Sequence, residues 1–332
     1  MTKGVNSPVV SVILPTYNAE SYIAEALGSL TGQTFQDFEV VIVDDGSNDN
    51  TIQIIESVED IDIKLIQRNN QTGITSALNR GLREASGEYI ARHDADDWSA
   101  PERFEKQVGA LKPNQEVALL GTGAYLVDAN GQKISQRRVV SNPSLDDLVQ
   151  HNEFVHGSVM MRKAALESVG GYDEWFPTTE DYDLWLRLAD EYEVRNIDEP
   201  LYYFRQHDDS LYGSNLEELK LYHLLAVRKV KSRLDTDLRR QIEKDGIETF
   251  YEMLSTDERR WFHCELAKEN LRYGNLKQGR RHAKRLLAID RAQPLVCVLL
   301  ALSYTTPTAT KVAARTYRRL INAKIEFQNR HS

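Results

Sequence analysis

Tyr89-Ile90-Ala91-Arg92-His93-Asp94-Ala95-Asp96-Asp97 is a short apolar stretch that runs directly into three carboxylates within four residues. Carboxylates this close repel one another, so their position at the end of a buried strand implies a cation nearby. Hard divalent ions favour carboxylate oxygen, and they bind through one or two carboxylates together with the phosphate oxygens of a substrate. Asp is also a strong turn former, and taken alone the run reads equally well as a solvated turn. The neighbouring segments decide between the two.

Upstream, the β-branched run Val9-Val10-Ser11-Val12-Ile13-Leu14 is stopped by Pro15, and a helical pattern follows from Ala19 to Leu30. Phe38 to Val43 is a second apolar run, ended by Asp44-Asp45-Gly46-Ser47. Asn50 to Val58 reads as a helix, Ile63 to Ile66 as a strand, Gly73 to Ala85 as a helix, and Glu88 to Ala91 as the strand that delivers the acidic run. Strands alternating with helices imply a parallel sheet, and such sheets bind ligands beyond the carboxyl ends of their strands. Pro15-Thr16-Tyr17-Asn18, Asp44-Asp45-Gly46-Ser47 and Asp94-Ala95-Asp96-Asp97 therefore gather on one rim. Acidic strand ends collected there are costly without a cation, which favours a metal and nucleoside-diphosphate site over a solvated turn.

Further along, Val117 to Val140 reads as two or three short strands with a hairpin turn at Asp128-Ala129-Asn130-Gly131. Ser158 to Arg162 is a strand candidate, and Lys163 to Val169 a short helix ended by Gly170-Gly171. Thr179 to Ala189 is a helix with Thr179 as N-cap, just ahead of Glu180 and Asp181. From Leu216 the pattern is helical, so a boundary near Gly213 divides a domain of residues 1–213 from a smaller helical one of residues 214–332. Within the latter, Glu265 to Pro294 suggests a hairpin of the tetratricopeptide sort.

The 332 residues, 41% hydrophobic and 27% charged, suit one large domain and a smaller one. No apolar run reaches the ~18 residues of a spanning helix. Met1 to Pro8 lacks a leader pattern, so the expected location is the cytoplasm. Cys264 and Cys297 have no ligand-type spacing and read as reduced core residues. The net charge of −9 is unevenly spread: from Leu271 onward there are 13 Lys+Arg against 2 Asp+Glu, and the first 270 residues hold 28 against 48. Such a basic tail on an acidic body is either a solvated face or a surface for polyanions.

Taken together, Val12-Ile13-Leu14-Pro15-Thr16-Tyr17-Asn18, Val43-Asp44-Asp45-Gly46-Ser47-Asn48-Asp49, Ala85-Ser86-Gly87-Glu88-Tyr89-Ile90, Asp94 to Asp97 and Glu180-Asp181-Tyr182-Asp183-Leu184-Trp185 occur in an order that resembles the inverting family-2 glycosyltransferases. The resemblance spans Val9 to Ser210. It implies an α/β, GT-A-type, Rossmann-like nucleotide-binding sheet with mixed strands, followed by a smaller all-helical C-terminal region. The implied reaction is transfer of a sugar from a nucleotide sugar, expected to be a uridine diphosphate sugar, to an acceptor hydroxyl with Mn²⁺ or Mg²⁺. Polysaccharide or lipid-linked oligosaccharide assembly would supply the acceptor.

On this resemblance Tyr17, with Pro15 and Asn18, packs on the nucleobase, and Asp45 accepts from its imide edge. Alternatively Asp45, or its neighbour Asp44, caps the following helix. Asp94 is assigned to ribose; Asp96 and Asp97 are metal ligands between which the sequence does not choose. Asp181, paired with Glu180, resembles the general base, because an acceptor hydroxyl attacks well only as its proton is removed. Arg205 and His207 resemble a late motif that reaches the diphosphate or the metal. His156 and Trp185 are candidates for the acceptor pocket, and Arg103 for a structural role. The absence of a Gln-x-x-Arg-Trp element implies one sugar per encounter. Two other classes compete: a nucleotidyltransferase, which would need a Gly-rich basic loop where Pro15-Thr16-Tyr17-Asn18 stands, and a noncatalytic helical interaction module. Lys311 to Phe327 places Tyr317, Leu320, Ile321 and Ile325 near one helical face among arginines and lysines. That face suits either an anionic membrane surface, in preference to nucleic acid, or packing against the body.

Overall fold

The computed structural model describes residues 7–206, 215–232, 236–289, 294–306 and 309. They divide into two compact units, the described residues up to 206 and those from 215 onward. In the first unit β1 (Val10–Thr16), α1 (Ile23–Thr31), β2 (Phe38–Asp44), α2 (Thr51–Glu56), β3 (Ile63–Gln67), α3 (Ile74–Glu84) and β4 (Tyr89–Arg92) follow in strict alternation. Then come β5 (Trp98–Ser99), α4 (Arg103–Leu111), β6 (Val117–Val127), β7 (Lys133–Arg137), α5 (Leu145–Gln150), a 3₁₀ turn at His156–Ser158, β8 (Met160–Arg162), α6 (Lys163–Ser168), α7 (Glu180–Glu191) and β9 (Glu193–Arg205).

These nine strands form one sheet in the order β3-β2-β1-β4-β8-β6-β9-β5, with β7 paired to β6. The sheet is mixed. Pairs β1–β2, β2–β3 and β1–β4 are parallel, whereas β8 runs antiparallel to both β4 and β6. Alternation alone implied a parallel sheet; that holds for the first four strands and ends at β8. Every residue of β2 and β4 is buried, as expected for strands covered on both faces. Val10, Val12, Leu14, Val40, Ile42 and Ala91 pack against Ile23, Leu27, Leu30 and Phe104 in one apolar core.

Two boundaries differ from the sequence pattern for identifiable reasons. β1 continues past Pro15 to Thr16, since its pairing with β4 ends at Ile13 and only β2 pairs with it beyond; a missing N–H is tolerated where a strand has a free side. The region read as two or three short strands with a hairpin turn at Asp128-Ala129-Asn130-Gly131 is two strands joined there, β6 and β7, of which β6 is longer than the pattern suggests, at eleven residues. Strand β9 had no sequence signal: its charges and Pro200 hide it, and it forms through a long parallel register with β6.

The second unit is helical: α8 (Leu216–Ser232), α9 (Thr236–Asp245), α10 (Glu248–Glu252), α11 (Thr256–Arg272), α12 (Leu276–Ile289) and α13 (Pro294–Leu302). Helix α11 opens on a reciprocal Ser255–Glu258 capping box. It turns into α12 at Tyr273-Gly274-Asn275, with Gly274 at φ 81°. Ala267, Leu271, Ala283, Leu286 and Leu299 make its core. Among the described residues no helix is long and apolar enough to cross a membrane.

Gly87 lies where β4 meets β1, and a Cβ there would sit 2.6 Å from Ser11 N and 2.8 Å from Val10 C. Backbone cannot yield as a side chain can. We expect Gly87→Ala to cost about 1–3 kcal/mol in urea unfolding, and Gly28→Ala, with nothing within 4 Å on α1, to be neutral or to stabilise by up to ~1 kcal/mol.

Candidate active site

The parallel half of the sheet brings the ends of β1, β2 and β4 to one rim, where Asp45 donates its N–H to the carbonyl of Thr16 and His93 donates to that of Ile13. Beyond β1 the loop holds Pro15 partly buried and Tyr17 43% exposed. Asn18 adopts φ 47°, accepts from Asn48 N at 2.9 Å and donates its own N–H to Ser47 Oγ at 2.8 Å. Tyr17 thus offers an open ring, while Asn18 stitches its loop to the one after β2.

Neither carboxylate at the end of β2 caps α2, contrary to that alternative. Asp44 folds its own turn by accepting from Gly46 N and Ser47 N, and Asp49 accepts from Thr51 N at the start of α2. Asp45 points to the opposite loop. It accepts from Thr72 N, Thr72 Oγ1 and Gly73 N at 2.8–3.0 Å and pairs with Arg68 at 3.2 Å, so in this conformation it anchors the entry to α3.

At the end of β4, the acidic run divides by direction. Asp94 is half-exposed, and its Oδ1 takes 2.7 Å from Arg92 Nη2; Tyr202 Oη accepts from Asp94 N at 3.0 Å. Asp96 is also partly exposed. Asp97 turns inward, 1% exposed: Oδ1 accepts from Arg205 N at 2.7 Å, and Oδ2 has no hydrogen-bond partner. Burial, then the charges of Asp94 and Asp96, push its carboxyl well above the usual range.

Arg205 is a clamp on this turn. Its Nε donates to Asp96 O and its Nη1 to Ala129 O, its Nη2 pairs with Glu25, and its plane lies over Tyr22 and Trp98. Nε, Nη1 and Nη2 each make one of these contacts, so in this conformation Arg205 is turned toward the acidic turn. Arg103, fully buried, supports the run from below through Arg92 O, Ser99 Oγ and Gln107; burial holds its pKa down at about 10. His207 lies outside the described residues.

Across the rim, the N-terminus of α7 supplies Glu180 and Asp181. Thr179 occupies the N-cap position without a side-chain cap, and its buried hydroxyl has no partner. Asp181 accepts from Tyr182 N at 2.6 Å and, at 3.5 Å, from Asn152 Nδ2. Glu180 is buried, and burial followed by the charge of Asp181 raises its pKa to about 8. His156 stands 3.9 Å from Glu180 and shares a 3.0 Å hydrogen bond with Tyr172 Oη; burial and Arg92 keep it neutral, well below its ordinary pKa. Gly157 closes the gap: a Cβ there would sit 2.1 Å from Tyr202 Oη and 2.6 Å from Asp94 Oδ2. Trp185 is fully buried against Phe154 and His156, so it cannot touch an acceptor; it is core. Arg92, Tyr172, Tyr202 and Asn152 were not read as site residues, and only Arg92, which opens the acidic run, carried a sequence signal.

The geometry on this rim can now be compared with known proteins. Residues 11–170 match the family model "Glycosyl transferase family 2". A putative glycosyltransferase, EpsE of Bacillus subtilis, is 36% identical over 211 residues, which is 62% of this chain and 76% of that one. The chain belongs to glycosyl transferase family 2. Among solved structures, S. aureus TarS in complex with UDP-GlcNAc superposes with a TM-score of 0.59 at 20% identity, covering 93% of this chain and 91% of that one. The mannosyltransferase PcManGT of Pyrobaculum calidifontis, in complex with GDP-Man and Mn²⁺, gives 0.57 at 18% identity, covering 98% and 88%. Both likenesses concern the fold, GT-A in type. Membership in family 2 makes this chain a glycosyltransferase, which sets aside the nucleotidyltransferase reading.

The raised pKa of Glu180 has a consequence for stability. Between about pH 4.5 and 8 the unfolded chain loses this proton before the native one does, so the native state is progressively disfavoured as pH rises. We expect Glu180→Gln to match the parent in thermal melts near pH 4 and to exceed it at pH 8, by on the order of 1–3 kcal/mol.

Proposed function

We propose that this glycosyltransferase carries out a metal-dependent, inverting and non-processive transfer from a uridine diphosphate sugar. The observation that carries this reading is that one turn adjoins both acidic groups: His156 stands 3.9 Å from Glu180, and a Cβ on its neighbour Gly157 would sit 2.6 Å from Asp94 Oδ2. Tyr17 would stack on the base, with Asp45 reaching its imide edge once the Thr72–Gly73 loop opens, and Asp94 would take the ribose.

The donor set suits a hard divalent cation: oxygen ligands only, with one buried Asp97 oxygen unpartnered. Among the described residues no cluster of three or more His, Cys, Asp and Glu side chains forms a cage, in keeping with an ion held by one or two carboxylates and the diphosphate. Asp96, partly exposed at the rim, would be the ligand, and Asp97, held inward by Arg205, would position it. When bound, the ion would neutralise charge on the departing diphosphate.

Asp181 is the general base of this proposal. Its carboxylate takes the proton of the acceptor hydroxyl as that oxygen bonds to the anomeric carbon; the bond to the diphosphate oxygen breaks with its electron pair, and a nucleoside diphosphate leaves. One base and one displacement invert the centre, without the second nucleophilic carboxylate of a retaining site. Hydrolysis of a panel of nucleotide sugars with Mn²⁺, Mg²⁺ or chelator, read by NMR of the anomeric product, tests this. Turnover of a uridine diphosphate sugar is expected with metal and not with chelator, with inverted product and at least a ~100-fold loss in Asp181→Asn. Turnover in chelator would refute the metal reading, and retained configuration the inverting one.

The acceptor would be a glycan or lipid-linked sugar, reached from the cytoplasmic face of a membrane. Supporting this, α12 carries Lys277, Arg280, Arg281, Lys284 and Arg285 and no acid; Lys311 to Phe327 lies outside the described residues. The full chain should sediment with anionic vesicles and release as salt rises. Equal sedimentation with neutral vesicles would refute an anionic docking surface.

A further inference from the structure

We propose that His263 and His282, a buried imidazole pair in the helical unit, form a proton-counting latch: the pair joins α8, α10, α11 and α12 while each ring carries a single proton, and it parts when both rings carry two. The latch concerns the second unit alone and stands apart from the assignment of donor, metal and base.

His263 on α11 and His282 on α12 are each 1% exposed, and their Nδ1 atoms lie 3.1 Å apart. At the outer ends, His263 Nε2 lies 2.9 Å from Tyr251 Oη of α10, and His282 Nε2 lies 3.3 Å from Glu217 Oε1 of α8. Four helices thus meet in one chain of polar contacts. An ionised carboxylate only accepts, so a neutral His282 carries its proton on Nε2 and leaves Nδ1 as an acceptor. His263 must then donate from Nδ1, and its Nε2 accepts the hydroxyl proton of Tyr251. Every proton in the chain points toward Glu217, and both rings are neutral.

The number of protons this chain tolerates follows from the same contacts. One added proton is placed without loss of any of them: it goes to His282 Nδ1, on the ring that Glu217 faces; His263 moves its own proton to Nε2, and the Tyr251 oxygen turns from donor to acceptor. A second proton has no such place. Both Nδ1 atoms would carry hydrogen at 3.1 Å, so the central hydrogen bond would be lost and two imidazolium charges would face each other away from water. Further cations bear on the pair, Arg259 from α11 and Arg281 and Arg285 from α12, against the negative charge of Glu217. Burial first, then His282 and these arginines, hold His263 down at about 4; burial lowers His282 as well, partly offset by Glu217. A free imidazole takes up its proton near pH 6.5, so between about pH 6.5 and 4 the opened unit binds more protons than the closed one, and closure weakens as pH falls through that window.

Hydrogen exchange of the full chain, followed peptide by peptide over α10 to α12 and corrected for the intrinsic pH dependence of exchange, reads the opening of this unit without any substrate. Between pH 7 and pH 5 the opening equilibrium should shift toward the open form by at least ~10-fold. Glu217→Gln removes the charge that faces the first added proton and should start the shift at higher pH. His282→Gln keeps a hydrogen-bonding side chain that does not titrate; it should open the unit at pH 7 and cut the shift between pH 7 and pH 5 by at least ~3-fold. Should His282→Gln fail to fold, Glu217→Gln, altered at a half-exposed side chain, still decides the matter. Opening that stays constant from pH 7 to pH 5, or a parental curve in Glu217→Gln, would overturn the latch. So would a loss of protection in His282→Gln that leaves the parental pH dependence intact, since the pair would then be a merely structural contact.

Discussion

Three carboxylates within four residues at the end of a buried strand cannot stand together unless cations compensate them, and much of the first unit's polar structure serves that constraint. Arg92 meets Asp94 from within the strand, Arg103 on α4 grips the backbone of the same strand end, and Arg205 at the far end of β9 fastens Asp96 and Asp97. Compensation is incomplete. Asp97 retains a partnerless oxygen and a carboxyl raised by burial, so the turn stores unfavourable charge that an additional cation would relieve.

This arrangement also explains why the sheet must be mixed. β4 delivers the acidic turn, and β8, antiparallel beside it, brings the His156–Ser158 turn up to the same rim. β9, parallel to β6, then carries Tyr202 toward Asp94 and Arg205 toward Asp97. A parallel sheet alone would set the strand ends side by side without supplying the residues that hold them. Gly157 shows how tight the assembly is, since any side chain there would collide with Tyr202 and Asp94.

Glycosyl transfer asks two things of such a site: stabilisation of a departing diphosphate and removal of a proton from the attacking hydroxyl. In the function proposed, the acidic turn and the start of α7, apart in sequence, would serve these ends separately. Glu180, with a pKa of about 8, shows the energetic tension of placing two carboxylates together. Functional sites commonly hold groups in environments that disfavour folding, and Glu180 fits that pattern.

The amino-acid sequence by itself determined the alternation of β1 to β4 with α1 to α3, because apolar periodicity and β-branched runs act locally. It also marked the acidic run and the Glu180-Asp181 pair, whose charge density is visible without a partner. Only the tertiary structure decided β9, whose Glu193-Val194-Arg195-Asn196-Ile197-Asp198-Glu199-Pro200 start has no strand pattern and is stabilised by pairing with β6. Likewise, burial took Trp185 out of the acceptor pocket, and hydrogen bonding turned Arg205 into a clamp and Asp45 toward α3. Residue type states what a side chain can do; which partner it meets depends on non-local packing, and that is why the direction in which Arg205 and Asp45 turn could be read only from the folded chain.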